Sequence, residues 1–511
     1  MIYAKNILKK NLNLLIFASL ILLAFLLCML SPMSPFGYTG LTNTDSSVYK
    51  YIGWMMAEGH VPYRDFFEHK GFLLYFFNYI GVALSYNYGV WFVELVLLFI
   101  AITFIYLLAR KFNNRIYSLF VTILTVTPLC LYFSGGNLSE EYALPFEIVA
   151  LFIFFDYFMK PEKYERSHSS KILSYLNFNV IVCGCCFSCV FFIRANMCSL
   201  WVIFCIMVLI QCIHKKQFQP LGKFIVSFII GMLIISLPIF IYLAAHGALN
   251  NFFSDYLYFS KLYISHETRA SSLNKVRAFF TFLNNTSVLL TFVIIFASII
   301  HKVRNKQNAF FDCGYVAYMI LNLIFICISG QTFMHYGMTL IPMYIYPYSI
   351  MCRYISSDKQ RELKINILVI TYLAITLLLP DWISLCQNAT VKVLSGASPY
   401  TDSAIEYIKA NTSPEDRISV FGNKSIIYNL SQRKSASRYS YQAPIGTIVN
   451  PDIMDEYFEE LQETLPPIIV WQTDRISSGP DADRMHAFLE QNEYVLIIDD
   501  TLALYERTNL K

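Results

Sequence analysis

Apolar and polar positions divide the chain into two registers. Up to about residue 385, long apolar runs alternate with short polar segments, lying at 14–30, 88–109, 116–133, 142–159, 221–246, 286–300, 314–328, 337–352 and 365–385. A helix of about 20 apolar residues crosses a bilayer, so these runs read as membrane spans. Two stretches need arbitration. Gly71 to Leu84 is apolar but short, the length of an interfacial or re-entrant helix, so 71–109 is expected to make one crossing preceded by an embedded helix. A single crossing over 178–213 would leave Arg194 near the bilayer centre, at a cost of ~3 kcal/mol or more without a partner. Two short spans meeting at Arg194-Ala195-Asn196 avoid that cost, and the total becomes eleven.

Basic residues test this topology, because short cytosolic loops carry an excess of Lys and Arg. The segments assigned to the cytosol hold 20 Lys/Arg in 70 residues, against 8 in 103 for those assigned to the outer face. The first run follows Lys5, Lys9 and Lys10 and has no small-residue cleavage site, so it reads as an uncleaved span with a cytosolic N-terminus. Parity then puts Thr42–Lys70, Ser134–Glu141, Gly247–Asn285, Ser329–Tyr336 and everything after residue 385 on the outer face.

Beyond residue 385 the period changes. Helical patterns at Ser403–Ala410, Asp452–Glu463 and Ala482–Gln491 alternate with short apolar runs at Ile418–Phe421, Ile468–Trp471 and Tyr494–Ile498, punctuated by Pro and Gly turns. The expected organisation is a transmembrane domain over 1–385, with its catalytic first outer loop at 31–87, and an extracytoplasmic α/β domain over 386–511 resting on it. Composition agrees: 56% hydrophobic and 14% charged residues fall far from the roughly 25% charge of soluble chains. A multidomain cytosolic protein, a disordered chain and a secreted disulfide scaffold are thereby excluded. Residues 1–385 hold 28 Lys/Arg against 17 Asp/Glu, and 386–511 hold 11 against 18, so the outer domain is acidic. All 13 cysteines lie at or before Cys386, and Cys183, Cys185, Cys186 and Cys189 read as apolar packing residues rather than zinc ligands.

Candidate chemistry gathers in the outer segments. The first holds Asp45 and Tyr49, four apart and so on one face of a helix starting at Asn43 or Thr44, followed by Glu58, Tyr63, Arg64, Asp65 and Glu68-His69-Lys70 at the mouth of the embedded helix. A carboxylate beside the bilayer can take a hydroxyl proton, and a lysine at a helix start can balance a phosphate. The competing reading makes Asp45 a helix cap and Lys70 a snorkelling anchor. A second loop pairs Glu140 with Glu141, either as a capping box with Ser139 or with one acid facing a cavity. Arg194 and His335-Tyr336 complete the outward set, each equally readable as an interfacial anchor. Glu94 and Glu147 are acids embedded deeper in the spans. Asp255, Tyr256, Tyr258, Lys261, His266 and Arg269 lie in a long segment that either covers a site or is an amphipathic surface helix. There is no Gly-rich strand-to-helix fingerprint for a nucleotide phosphate.

These residues resemble the polytopic, lipid-sugar-dependent glycosyltransferases of the GT-C superfamily, in particular the protein O-mannosyltransferases and the aminoarabinose transferase of lipid A. The likeness rests on Thr44-Asp45-Ser46-Ser47-Val48-Tyr49, Gly59-His60-Val61-Pro62-Tyr63-Arg64-Asp65, Lys70 entering a helix, Glu140-Glu141-Tyr142-Ala143-Leu144-Pro145, Arg194-Ala195-Asn196 and His335-Tyr336 ahead of Pro342. The chain departs from the family at Ser46, where a second acid is common, and at Gly71-Phe72, where prolines are common.

The resemblance implies a GT-C-like fold and an inverting displacement at the outer face of a cell membrane. A sugar would pass from a polyprenyl-phosphate donor to a hydroxyl of a surface glycan, lipid or protein. Asp45 would activate the acceptor, Lys70 and Arg194 would bind the donor phosphate, and Tyr49, Tyr63, Glu140, Glu141, His335 and Tyr336 would be substrate-binding candidates. No cofactor is implied, a divalent cation is left open, and no nucleic acid partner is expected. The rival functions are a flippase of lipid-linked sugars and an oligosaccharide polymerase.

Overall fold

A computed structural model of the chain describes residues 2–31, 33–36, 44–133, 136–160, 176–262, 272–328, 330–356, 372, 378–394, 403–442 and 449–508. They fold as two compact units: Met1–Ser31 with Glu94–Ile239 and Ala270–Val391, and Pro32–Val93 with Phe240–Arg269 and Lys392–Lys511.

Among the described residues, six helices are long and apolar enough to cross a membrane: Asn11–Cys28, Gly89–Ala109, Arg115–Tyr132, Ser139–Met159, Phe218–Ala245 and Ser287–Arg304. The chain is a multi-pass membrane protein. Shorter apolar helices form at Phe178–Phe191, Ser199–His214 and Phe310–Ile326, where three further spans were expected. The first two are separated by Arg194 and a 3-10 turn at Ala195–Met197, as the polar triplet predicted. The expected span at 337–352 opens instead as a 3-10 turn, Met334–Leu340, and becomes α-helical only over Ile341–Ser356. Most of the run expected at 365–385 lies outside the described residues; a helix covers Leu379–Leu394.

Of the two readings of this loop, the capping box at Ser139 does not form. Leu138, in extended conformation and without a side-chain cap, holds the N-cap position. Ser139 is already helical, and its hydroxyl donates to Glu140 Oε2 at 2.9 Å.

In this unit the helices interlock through aromatic rings. Phe155 meets Phe311 at 4.6 Å, Tyr346 at 5.0 Å and Phe112 at 5.8 Å between ring centroids, which ties four segments to one point. Elsewhere the contact is made by the absence of a side chain. A Cβ on Gly184 would lie 2.1 Å from the Phe228 carbonyl oxygen, and one on Gly231 would lie 2.0 Å from that of Ile181. The helices Phe178–Phe191 and Phe218–Ala245 therefore touch backbone to backbone, as small residues allow in membrane packing.

The other unit holds the α/β fold. Strands β1 (Arg417–Phe421), β2 (Lys434–Ser435), β3 (Ile468–Gln472), β4 (Tyr494–Ile498) and β5 (Leu502–Arg507) form one sheet in the order β2-β1-β3-β5-β4. β1 runs parallel to β2 and β3, whereas β5 is antiparallel to β3 and β4. Helices Ser403–Asn411, Asp452–Thr464 and Pro480–Gln491 match the periodic segments. The reading had no counterpart for β5, β2 or the short helix Ile426–Ser431.

This fold sits on the first loop, whose helices are Thr44–Ala57 and Phe72–Leu84. Ser435 N donates to the Tyr51 hydroxyl at 2.9 Å, Asn429 Nδ2 to the Ser47 carbonyl at 2.8 Å, and the Tyr86 hydroxyl to the Asn429 carbonyl at 2.6 Å.

Adding a side chain at the glycine contact tests the packing. Gly184→Leu should separate the two helices and destabilise the protein by about 1–3 kcal/mol or more, seen as a lower thermal midpoint in detergent. A comparable change at Gly59, where no atom lies within 4 Å of a Cβ, is strained by its φ of +88° but meets no neighbour, and should cost less.

Candidate functional site

In the unit that carries the α/β fold, the helix expected at Asn43 or Thr44 is described over Thr44–Ala57, with Asp45 in its first turn. Asp45 is exposed, and its charge acts on His69 and on Tyr441. One turn on, Tyr49 is buried, with its ring 6.5 Å from that of Tyr75. Asn43 lies outside the described residues.

After this helix the chain reverses. Val61 N donates to Asp65 Oδ2 at 2.7 Å, Tyr63 N donates to the Phe66 carbonyl at 3.0 Å, and Arg64 pairs with Asp65 at 2.7 Å. Tyr63 adopts φ +68°, a left-handed conformation that costs an aromatic residue about 1–3 kcal/mol. Its carbonyl is held by Asn251 Nδ2 at 3.2 Å and by Arg438 Nη2 at 3.1 Å. Arg438 Nη2 also donates to Asp255 Oδ2 at 2.6 Å, so two distant segments, one carrying Asn251 and Asp255 and the other Arg438, fix this turn. Asp255 lies in a π-helical turn, Phe253–Tyr258. Burial, only partly offset by Arg438, raises its pKa to about 6.

The strained turn delivers Lys70. The Tyr63 hydroxyl donates to the Lys70 carbonyl at 2.8 Å; the Tyr75 hydroxyl donates to the same carbonyl at 3.1 Å and accepts from Lys70 N at 3.0 Å. Tyr63, a substrate-binding candidate in the sequence, is buried and spends its hydroxyl on this clamp. The side chain of Lys70 turns to His69, with Nζ 2.7 Å from Nε2. His69 Nδ1 lies 2.9 Å from Glu68 Oε1, and Glu68 Oε2 accepts from the Tyr441 hydroxyl at 2.7 Å. Burial disfavours the charge on Glu68, but His69, Lys70 and Tyr441 outweigh it and bring its pKa to about 2. Burial, with Lys70 beside it, lowers the pKa of His69 and keeps the imidazole neutral near pH 7. Gly71 is the N-cap of the helix Phe72–Leu84 and brings no side-chain cap, so Lys70 stands at the positive end of a helix.

The second cluster lies in the other unit. Arg194 Nη1 binds Glu140 Oε1, Nη2 donates to the Tyr336 hydroxyl at 3.3 Å, and the guanidinium lies 4.9 Å from the Tyr336 ring centre. His335 stacks edge-on to Tyr336, with ring centres 4.8 Å apart. Glu140 is 2% exposed, so Arg194 meets a carboxylate that has left water. Glu141, next in the helix and turned about 100° away, faces Glu94. Glu94 accepts from Ser31 Oγ at 2.8 Å and from Asn137 N. Glu147 is buried deeper in the same helix.

Thus Asp45, Tyr49, Tyr63 and Lys70 gather in one cluster, and Glu140, Arg194, His335 and Tyr336 in another. His266 and Arg269 lie outside the described residues. Sequence reasoning did not single out Tyr441, Arg438, or the link from Glu68 through His69. No three His, Cys, Asp or Glu side chains come together as metal ligands among the described residues.

The family model described as "Putative competence-induced protein Ccs4 N-terminal domain" matches residues 7–366. Among curated proteins no sequence matches. Among solved structures, the chain is similar to ArnT from Cupriavidus metallidurans bound to undecaprenyl phosphate, with 12% identity and a TM-score of 0.59 over 97% of this chain and 98% of that one. The apo state of the same protein gives 12% and 0.58, over 96% and 97%. The archaeal oligosaccharyltransferase AglB from Archaeoglobus fulgidus, in complex with an inhibitory peptide and a dolichol-phosphate, gives 11% and 0.50, over 96% of this chain and 74% of that one. At these identities the likeness is one of fold alone.

Two stability measurements follow from the ion pairs. The pKa of Glu68 is depressed on folding, so its contribution is fully present above about pH 4.5 and lost as pH falls towards about 2. Glu68→Gln should lower the thermal midpoint at pH 7 by several degrees and flatten its fall between pH 5 and pH 2. Arg194→Met leaves Glu140 buried without its cation and should cost about 3–5 kcal/mol. Adding Glu140→Gln should recover most of the lost thermal midpoint.

Proposed function

The chain belongs to the family of the competence-induced protein Ccs4 N-terminal domain, and we propose that it is a membrane glycosyltransferase with a polyprenyl-phosphate-linked sugar as donor. The acceptor is a hydroxyl of a surface glycan, lipid or protein, and the reaction takes place on the outer face, where the C-terminal α/β part also lies.

One observation carries the reading. An exposed carboxylate, Asp45, and a lysine whose main chain and side chain are both held, Lys70, bear on the same imidazole, His69. This arrangement suits a displacement at an anomeric carbon. The acceptor oxygen forms the new bond and gives its proton to Asp45, while the bond from the anomeric carbon to the phosphate oxygen breaks and the pair of electrons leaves with the lipid phosphate. Lys70, at a helix N-terminus, balances the charge that appears on that phosphate. Rate is gained because the charge on the leaving group grows in the transition state, so a cation fixed in advance stabilises it more than the ground state.

Support comes from the fold, which the chain shares along almost its whole length with a protein solved with undecaprenyl phosphate bound. In the other unit, Glu140 and Tyr336 set the direction of the Arg194 guanidinium, which suits it to bind a phosphate. Tyr49 acts through its packing on Tyr75.

The test compares surface glycans by mass spectrometry in cells with the wild-type chain, no chain, Asp45→Asn or Lys70→Ala, at matched membrane abundance. Deletion should remove one sugar mass, Asp45→Asn should reproduce that loss, and Lys70→Ala should reduce transfer at least tenfold. Wild-type glycans with Asp45→Asn would overturn the assignment of the base. If deletion alone abolished the glycan, a flippase of lipid-linked sugars would be the better account.

A further inference from the structure

Tyr441 belongs to the irregular stretch Ser437–Gln442, far from the first loop in sequence, yet its hydroxyl reaches Glu68, 373 residues away. There the hydrogen bonds converge on the carboxylate from both sides. Glu68 Oε2 accepts from Tyr441 at 2.7 Å, and Oε1 accepts the backbone N–H of His69 at 2.7 Å and lies 2.9 Å from His69 Nδ1. Nδ1 must then carry the imidazole proton, because its partner is a carboxylate oxygen. Nε2 is left with a lone pair, and the Lys70 ammonium, which can only donate, lies 2.7 Å from it. One tautomer satisfies Glu68 and Lys70 together, and Glu68 fixes that tautomer.

We propose that Tyr441, Glu68 and His69 form a hydrogen-bond relay that sets the position of the Lys70 ammonium, so that the C-terminal α/β fold supplies a positioning residue to the donor-phosphate end of the site. The inference rests on the reading of Lys70 as the phosphate-binding residue.

Three features support the relay. First, Tyr63 and Tyr75 already hold the peptide groups of Lys70. The flexible four-carbon stem is therefore what a positioning device would have to restrain. Second, the relay is buried: Glu68 is 3% and Tyr441 6% exposed, and the His69 ring rests 5.5 Å from that of Phe259. Low solvent access makes each link stronger and more directional. Third, the groups that act on His69 come from separate elements: Glu68 and Lys70 beside it, Asp45 from the helix Thr44–Ala57, and Tyr441 from the α/β fold, while Ser260 Oγ donates to the His69 carbonyl at 3.4 Å. The imidazole is the point at which the proposed base, the proposed phosphate ligand and the C-terminal fold meet.

Asn and Gln separate the two sides of the imidazole. Gln reaches the position of Nε2 and keeps an acceptor for Lys70, whereas Asn reaches only the position of Nδ1 and keeps the Glu68 side alone. The full chain in lipid nanodiscs is titrated with undecaprenyl phosphate as wild type, Lys70→Ala, His69→Gln, His69→Asn, Tyr441→Phe, and Tyr441→Phe combined with His69→Asn. The relay predicts affinity within threefold of wild type for His69→Gln, a loss of about tenfold for His69→Asn, and a loss of about threefold for Tyr441→Phe. That last effect should vanish in the His69→Asn background, because the chain is already cut.

Equal affinities for His69→Gln and His69→Asn, or an unchanged Tyr441→Phe effect in the double variant, would overturn the relay. Wild-type affinity in Lys70→Ala would overturn the phosphate reading instead. The relay is then judged on a second measurement, the rate of Lys70 acetylation by acetic anhydride, mapped by mass spectrometry. His69→Asn should change that rate at least threefold and His69→Gln should leave it alone; equal rates in both would again sink the relay.

Discussion

A charge withdrawn from water must be met by donors or by an opposite charge, and the first-loop cluster is organised around that demand at Glu68. The carboxylate is 3% exposed, and every group that answers it also holds something else. His69 turns its far nitrogen to Lys70. Tyr441 carries the C-terminal fold onto the loop. The backbone N–H of His69 folds back onto Oε1 and sets the entry into the helix Phe72–Leu84. Satisfying one buried anion thus specifies the course of the chain on both sides of it.

The same demand shapes the membrane helices. Glu140 and Glu141 are neighbours in sequence, but successive positions on a helix diverge, and the two acids belong to different polar groups: one to Arg194 and Tyr336, the other to Glu94. The helix break around Arg194 removes it from the middle of a long span and gives it a carboxylate partner. Lys302 and Asp312 make a similar buried pair further along, joined by Ser298 Oγ at 3.0 Å and the Tyr346 hydroxyl at 3.1 Å. These are the arrangements that let polar side chains persist in an apolar medium.

Periodicity made the helices legible, and local chemistry made some of their ends legible. The short helix after Gly71 and the interruption at Arg194 both follow from polar residues placed in apolar surroundings. Strands β1, β3 and β4 coincide with compact apolar runs; β5 also opens on one, Leu502–Tyr505, but it follows β4 after only three residues and closes on Glu506 and Arg507. Ser139 could be read two ways because a serine ahead of two acids has the look of a cap; Leu138 takes that position and the serine hydroxyl turns to Glu140. Asp45 and Lys70 stand out because charge beside an apolar helix is conspicuous. Tyr441 and Arg438 could not be read at all: each acts on a residue more than 370 positions away, Glu68 for one and the Tyr63 carbonyl for the other, and nothing near them in sequence records that pairing.

The unit that carries Lys70 is assembled from three separated lengths of chain, 32–93, 240–269 and 392–511. On the ribosome these do not appear together. At roughly 5–20 residues per second, the 373 residues between Glu68 and Tyr441 take roughly 20–75 s to synthesise. Through that interval the loop waits with its carboxylate, imidazole and ammonium in place but without the tyrosine that closes over them. Completion of the cluster is therefore among the last events of biogenesis, after the intervening helices have entered the membrane. A chain released early would insert much as the full protein does and still lack a finished site.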